Sequence, residues 1–217
     1  MTGIVAVYKP KGPTSNDVVQ IIKKATGEKV GHAGTLDPLA EGVLVVGIGQ
    51  EYTKKLKDIV QSEKEYIAKI KLGQTSATDD EEGDKTEVKV EAKPRLEDVA
   101  KIIKQFIGQL EQVPPVYSAV KVKGKEAYKL ARKGQAVALQ PRKVEIKAIE
   151  IIDYGWPYVK IRVVTGPGVY IRSLARDLGK KLKTGGYLAD LERTRVGQFT
   201  KKEALSLKKF YEEKNKT

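Results

Sequence analysis

The chain has 217 residues, with 41 Lys and Arg against 28 Asp and Glu, a net charge of +13, one His and no Cys. That length carries a hydrophobic core, while the lack of cysteine excludes disulfides, thiolate nucleophiles and Cys-based zinc sites, and one histidine cannot supply a His-rich metal set. The positive excess favours a polyanionic partner, nucleic acid or an anionic membrane surface, and chemistry must rest on carboxylates, hydroxyls, amines or guanidiniums.

Residues 3–8 read as a short strand, and KPKGP leads to Thr14 or Ser15 as N-cap of a helix carrying Val18, Ile21, Ile22 and Ala25, closed by Gly27. The stretch GHAGTLDPLAEGVL follows at 31–44. Its glycines permit sharp turns, and Pro38 restricts Asp37 to extended backbone. Residues 43–48 form a continuous apolar run suited to a buried strand, and Tyr66, Ala68, Ile70 and Leu72 alternate on one face of another. Residues 75–98 hold nine acids and four bases, a turn-rich solvated excursion.

Leu96, Val99, Ile102, Ile103 and Phe106 predict an amphipathic helix capped by Gly108, followed by a proline loop at 114–115. From 121 to 147 there are nine basic residues and two acidic ones, interleaved with Tyr128 just after Tyr117, which suits an RNA-contacting arm. Residues 144–154 and 158–164 read as strands joined by a turn, and GPGVYIRSLARDLGKKL opens a helix burying Ile171, Leu174, Ala175, Leu178 and Leu182. The class is α+β, a mixed, mostly antiparallel sheet flanked by helices. A dinucleotide fold fails because GIG at 47–49 and GPG at 166–168 lack the third glycine, and no GxxxxGK[ST] loop exists.

Taken alone, aspartate before proline is a common turn initiator, and Asp37 reads as an Asx-turn as readily as a catalytic group. Tyr66 suits a strand core, His32 a loop histidine bonded to a nearby carbonyl, and Tyr170 and Leu191 plain packing. Arg172 falls in the first turn of a predicted helix, where the macrodipole disfavours a cation, so an anion should lie nearby; Asp177 or a phosphate would serve.

The stretch at 31–44 resembles the catalytic-aspartate motif of the TruB family of tRNA pseudouridine synthases, His-x-Gly-x-Leu-Asp-Pro-x-Ala-x-Gly, with His32, Gly34, Leu36, Asp37, Pro38, Ala40 and Gly42 in place. Collinear matches follow the family's order: Lys9-Pro10-x-Gly12, KEYIAKIKLG around Tyr66, VPPVYSAVKVKGKEAYKLARKG, VYIRSLARDLG and LERTRVGQF, so the resemblance runs from about Gly3 to Leu205. It implies the pseudouridine synthase catalytic fold as one domain over 1–217, with a basic arm at 113–142 and no C-terminal PUA domain. It implies isomerisation of uridine 55 in the T arm of tRNA by base flipping, with no cofactor and no metal.

By the same resemblance Asp37 is the catalytic carboxylate, Tyr66 stacks on the flipped uracil, and His32 fills the vacated stack. Arg172 pairs with the catalytic carboxylate, Tyr170 and Leu191 line the pocket, and Asp80, in the crowded run DDEEGD, falls at an acidic position that helps shape it. Lys121, Lys123 and Lys125 contact RNA. One departure stands out: TGPG precedes VYIRS where the family commonly has a Cys-Ser-Lys-Gly type run.

Two rival readings are a non-catalytic tRNA-binding or chaperone module and a guide-dependent dyskerin-like synthase. The first does not require a complete aspartate motif, and the second depends on a PUA domain and partner proteins. A glycoside hydrolase needs a second carboxylate motif, and none recommends itself. No apolar run is long enough to cross a bilayer, and MTGIVAVYKP lacks signal-peptide order, so the expectation is a cytoplasmic monomer with tRNA as partner, no membrane and no obligate protein partner.

Overall fold

The computed structural model describes residues 1–122 and 124–214, so Lys123 of the expected arm lies outside the described residues. The elements in chain order are β1 (Gly3–Lys9), α1 (Ser15–Thr26), β2 (Val30–His32), β3 (Glu41–Ile48), α2 (Gln50–Val60), β4 (Lys64–Leu72), β5 (Gln74–Ser76), β6 (Lys85–Glu87), α3 (Leu96–Lys104) and β7 (Gly108–Gln112). Then come β8 (Lys121–Val122), β9 (Lys125–Glu126), α4 (Ala127–Ala131), β10 (Arg142–Gly155), β11 (Tyr158–Thr165), α5 (Ile171–Lys181), β12 (Gly186–Val196), β13 (Phe199–Thr200), β14 (Leu205–Ser206) and α6 (Leu207–Lys214). They build two compact units, one from Met1–Ile67 with Leu191–Thr217 and the other from Ala68–Asp190, and β4 and β12 contribute residues to both.

In the first unit the strands run β14-β1-β3-β12-β4, with β2 on β3 and β13 on β12. β1 and β3 pair antiparallel from Gly3 opposite Ile48 to Lys9 opposite Gly42, whereas β12 meets β3 in parallel with Arg193 opposite Gly42. Both faces of β3 are covered. Leu44, Val46 and Ile48 pack with Val7 against Val18 and Ile22 of α1 and Phe210 of α6, while Val43 and Val45 pack with Ala6 against Leu56 of α2 and Val196. A strand covered on both sides has no polar face to alternate with, hence the unbroken apolar run.

The start of α1 is set by Thr14: its hydroxyl accepts from the Asp17 amide at 3.1 Å while the Asp17 carboxylate accepts from the Thr14 amide at 2.8 Å. This reciprocal cap contributes about 1 kcal/mol. Gly27, left-handed at φ 72°, closes the helix and donates to Lys23 O.

The second unit orders β4-β11-β10-β7, with β10 antiparallel to both neighbours and with β5–β6 and β8–β9 as separate hairpins. Its core is drawn from Ala68, Ile70 and Leu72, from Val159, Ile161 and Val163, and from the inward faces of α3 and α5. Tyr66, Ala68, Ile70 and Leu72 are all buried, as the alternation predicts.

Three details differ from expectation. The acidic excursion contains the β5–β6 hairpin. Helix α3 ends at Lys104 with Gln105 as its C-cap, and Gly108, at φ 104°, opens β7 instead of capping the helix. Leu182 is the half-buried C-cap of α5 and not part of its buried face. Two long elements carried no clear signal: α2 buries only Leu56, and β12 interleaves Asp190, Glu192, Arg193 and Arg195 with its apolar residues. Among the described residues, no helix is long and apolar enough to cross a membrane.

Candidate active site

Asp37 lies in the connection between β2 and β3, half-exposed between buried neighbours Leu36 and Ala40. An irregular segment has no ladder to satisfy its own amides and carbonyls, so outside groups must do so. Ser15 at the head of α1 donates to Leu36 O at 2.9 Å and accepts from Leu36 N at 2.8 Å. Gly12 N donates to Pro38 O at 2.9 Å, and Ala40 N closes the turn onto Asp37 O at 3.1 Å. Lys9, fully buried at the end of β1, donates to Ala40 O at 2.7 Å and Pro10 O at 2.9 Å. Burial lowers the Lys9 ammonium to about 8, against the opposing pull of Asp37 and Glu41.

The other side of the loop is held by Arg193 of β12, 1 % exposed. Its Nε donates to Val43 O at 2.7 Å and its terminal nitrogens to Gly34 O at 2.9 Å and Thr35 O at 3.5 Å. Burial lowers the pKa of this guanidinium, and Tyr66 and then Asp37, acting on its charge, oppose the shift.

This arrangement depends on Gly42. At φ 113° a Cβ there would stand 2.2 Å from the Arg193 carbonyl oxygen, so only glycine admits β12 this close to β3. Lys64, also buried and lowered to about 8 by burial first and Arg193 second, donates to Val60 O and Ser62 O at 2.8 Å each, at the end of α2.

His32 is not in a loop: it ends β2, opposite Val46. Its Nδ1 is buried with no hydrogen-bond partner among the described residues, and burial, followed by the charge of Arg193, lowers its pKa. The ring is thereby held neutral at physiological pH. Leu191 is buried on β12, two residues before Arg193 and on the same face.

Tyr170 and Arg172 belong to the second unit. Tyr170 is the N-cap of α5, and the Gln112 side chain clamps its backbone, accepting from Tyr170 N at 2.8 Å and donating to Tyr170 O at 3.1 Å. Arg172 is buried at 6 % exposure, not on the surface. It pairs with Asp80 at 3.4 Å and donates to Tyr117 O at 2.9 Å and Thr78 O at 3.3 Å. Asp177 is instead taken by Arg176, which also bonds Asp79 at 2.8 Å and Val113 O at 2.9 Å. Asp80 is the buried member of the acidic run, accepting from the Thr78 hydroxyl and from Glu82 N at 3.0 Å. The anion expected beside the first turn of α5 is thus present.

Residues 22–171 match the TruB family pseudouridylate synthase (N terminal domain), and residues 172–216 match the tRNA pseudouridylate synthase B C-terminal domain. The chain belongs to the TruB family of pseudouridylate synthases. It is 44 % identical over 214 residues to the tRNA pseudouridine synthase B of Clostridium tetani (strain Massachusetts / E88), covering 98 % of this chain and 74 % of that protein. It is 47 % identical over 210 residues to the tRNA pseudouridine synthase B of Mycobacterium sp. (strain KMS), covering 94 % and 70 %.

Among solved structures, a Cbf5-Nop10-Gar1 complex is similar at a TM-score of 0.75 and 30 % identity over 95 % of this chain. An H/ACA RNP bound to a substrate RNA containing 2'-deoxyuridine is similar at 0.71 and 27 % over 95 % of this chain. The chain spans about half the length of those two structures, 53 % and 51 %. The α+β pseudouridine synthase fold expected from the sequence is therefore the fold of this TruB-family chain.

In this TruB-family chain the expected arm is built from the β8–β9 hairpin and the short α4, with Lys121 and Lys125 exposed. Lys129 pairs with Glu126 at 2.9 Å, and Tyr128 has Lys129 and Arg132 over its ring. The sequence reading took Ser15 only as a candidate N-cap and assigned no role to Lys64 or Arg193. For Arg193 a signal existed: it sits two residues from Leu191, at the inward phase of a strand, where a charge has to be paired.

Proposed function

We propose that the protein is a stand-alone tRNA pseudouridine synthase that isomerises uridine 55 in the T arm, acting as a cytoplasmic monomer. The observation that carries this is a carboxylate on a loop whose backbone is pinned by Ser15, Lys9 and Arg193. The chemistry fits that equipment. Asp37 carries the step that frees uracil N1 from ribose C1′; the base turns, C5 bonds to C1′, C5 loses its proton and N1 gains one. Atoms balance without an external oxidant or co-substrate, so one placed carboxylate suffices.

Reaching C1′ requires the nucleotide to leave its stack, which unstacking energy opposes. Tyr66 and Leu191 supply an aromatic and an aliphatic surface for the extruded base, and a neutral His32 fills the space it leaves. Tyr170 and Arg172 take the substrate-binding role that family resemblance implies, with Asp80 holding Arg172. Lys121, Lys123 and Lys125 grip the RNA backbone. Identity of 42–47 % to tRNA pseudouridine synthases, against 27–30 % to the guide-RNA assemblies, supports the stand-alone reading over a guide-directed one.

The test is tritium release from tRNA labelled at uridine C5, comparing wild type with Asp37→Asn. Release by wild type and none by Asp37→Asn, at equal tRNA affinity, is expected. Silence from wild type, or equal release by the variant, refutes the reading.

A further inference from the structure

A buried cation needs a reason, because taking a guanidinium out of water costs several kcal/mol unless its donors are all engaged. Ser15 shows that a neutral hydroxyl is enough to hold one residue of the Asp37 loop. Arg193 does something a hydroxyl cannot. Its planar fork reaches backbone oxygens on both shoulders of the loop, Gly34 and Thr35 before Asp37 and Val43 after it. Its charge also interacts with Tyr66 on a different strand. Register places it there: Arg193 pairs opposite Gly42, where the lack of a Cβ lets β12 come this close to β3.

We propose that Arg193 is a positioning residue for the isomerisation, fixing the Asp37 loop and the Tyr66 hydroxyl in one rigid arrangement so that carboxylate and aromatic meet the flipped uridine together. The proposal rests on the function argued above. Lysine retains the charge but radiates its donors from a single nitrogen, so it satisfies one shoulder of the loop and releases Tyr66. Displacing one reacting group against the other by about 1 Å slows a reaction by about 100-fold while leaving remote binding contacts intact.

The experiment compares wild type, Arg193→Lys, Tyr66→Phe and the double variant. Single-turnover tritium release from C5-labelled tRNA is measured with enzyme in excess, tRNA affinity by filter binding, and each assay is run below the variant's own melting midpoint. Arg193→Lys is expected to bind tRNA within about threefold of wild type and to isomerise about 100-fold more slowly. In the Tyr66→Phe background, where the hydroxyl is already gone, the same substitution is expected to cost about tenfold less, because the two residues act as a unit.

A wild-type rate in Arg193→Lys overturns the proposal, as does the same rate loss in both backgrounds, or a loss of affinity in step with rate. Should Arg193→Lys not fold, Tyr66→Phe decides: a slow enzyme with intact tRNA affinity and a lowered melting midpoint supports the coupling, and wild-type rate and midpoint overturn it. A wild type that releases no tritium overturns the proposed function instead.

Discussion

Replacing Ser15 by alanine isolates what holds the Asp37 loop. The hydroxyl donates to Leu36 O at 2.9 Å and accepts from Leu36 N at 2.8 Å, all within the buried interior, and Leu36 directly precedes Asp37. Alanine leaves an amide and a carbonyl unpaired, and each such group costs about 1–3 kcal/mol when water cannot replace the partner. The neighbouring Thr14–Asp17 cap is untouched, and alanine favours the helix by a few tenths of a kcal/mol at most. The expected loss is therefore about 2–6 kcal/mol. For a chain of this size that lowers the melting midpoint by about 4–24 °C.

Urea unfolding followed by far-UV circular dichroism is the suitable assay, because the one tryptophan, Trp156, lies in the second unit and leaves the first unreported. Amide exchange at Leu36 gives a local readout. A loss below about 0.5 kcal/mol, with unchanged exchange at Leu36, would refute the claim that this hydroxyl pins the loop.

Lys64 makes stability depend on pH. Its ordinary value of 10.5 in the unfolded chain falls to about 8 in the fold, so between those values the unfolded chain binds a proton that the folded one lacks, and stability rises with pH. The penalty is full below pH 8. From pH 8 to 9.5 wild type should gain about 1–2 kcal/mol that Lys64→Met does not, and parallel urea midpoints for the two across that range would show the sign wrong. In the arm, neutralising Lys121, Lys123 and Lys125 should weaken tRNA binding and flatten the slope of log affinity against log salt by about 2–3. An unchanged slope removes the arm from the RNA contact.

How legible the protein was in its sequence varies with the physical origin of each feature. Local chemistry announces itself: Thr14 three residues before Asp17 makes a reciprocal cap, Gly27 closes α1, and the alternation from Tyr66 to Leu72 marks a strand with one buried face. The motif around Asp37 is short and contiguous, so it was readable whole. Helix α2 was not, since Leu56 alone is buried, Ile59 packs only partly on the core, and charged, exposed residues dominate the rest. Gly108 misled because glycine marks a backbone with positive φ, and such a backbone opens a strand as well as it closes a helix.

By itself the sequence determined the chemical repertoire and the family, and it singled out Asp37 and the basic segment from 121 to 147 as the candidates, since residue type and short-range spacing carry those. Tertiary structure alone decided which charges distant in sequence answer one another. Asp80 rather than its acidic neighbours pairs with Arg172, Asp79 pairs with Arg176, and Arg193 reaches back across the sheet to the loop that bears Asp37. Spacing along the chain holds no record of those pairings, because burial, register and the room left by Gly42 create them only once the strands are assembled.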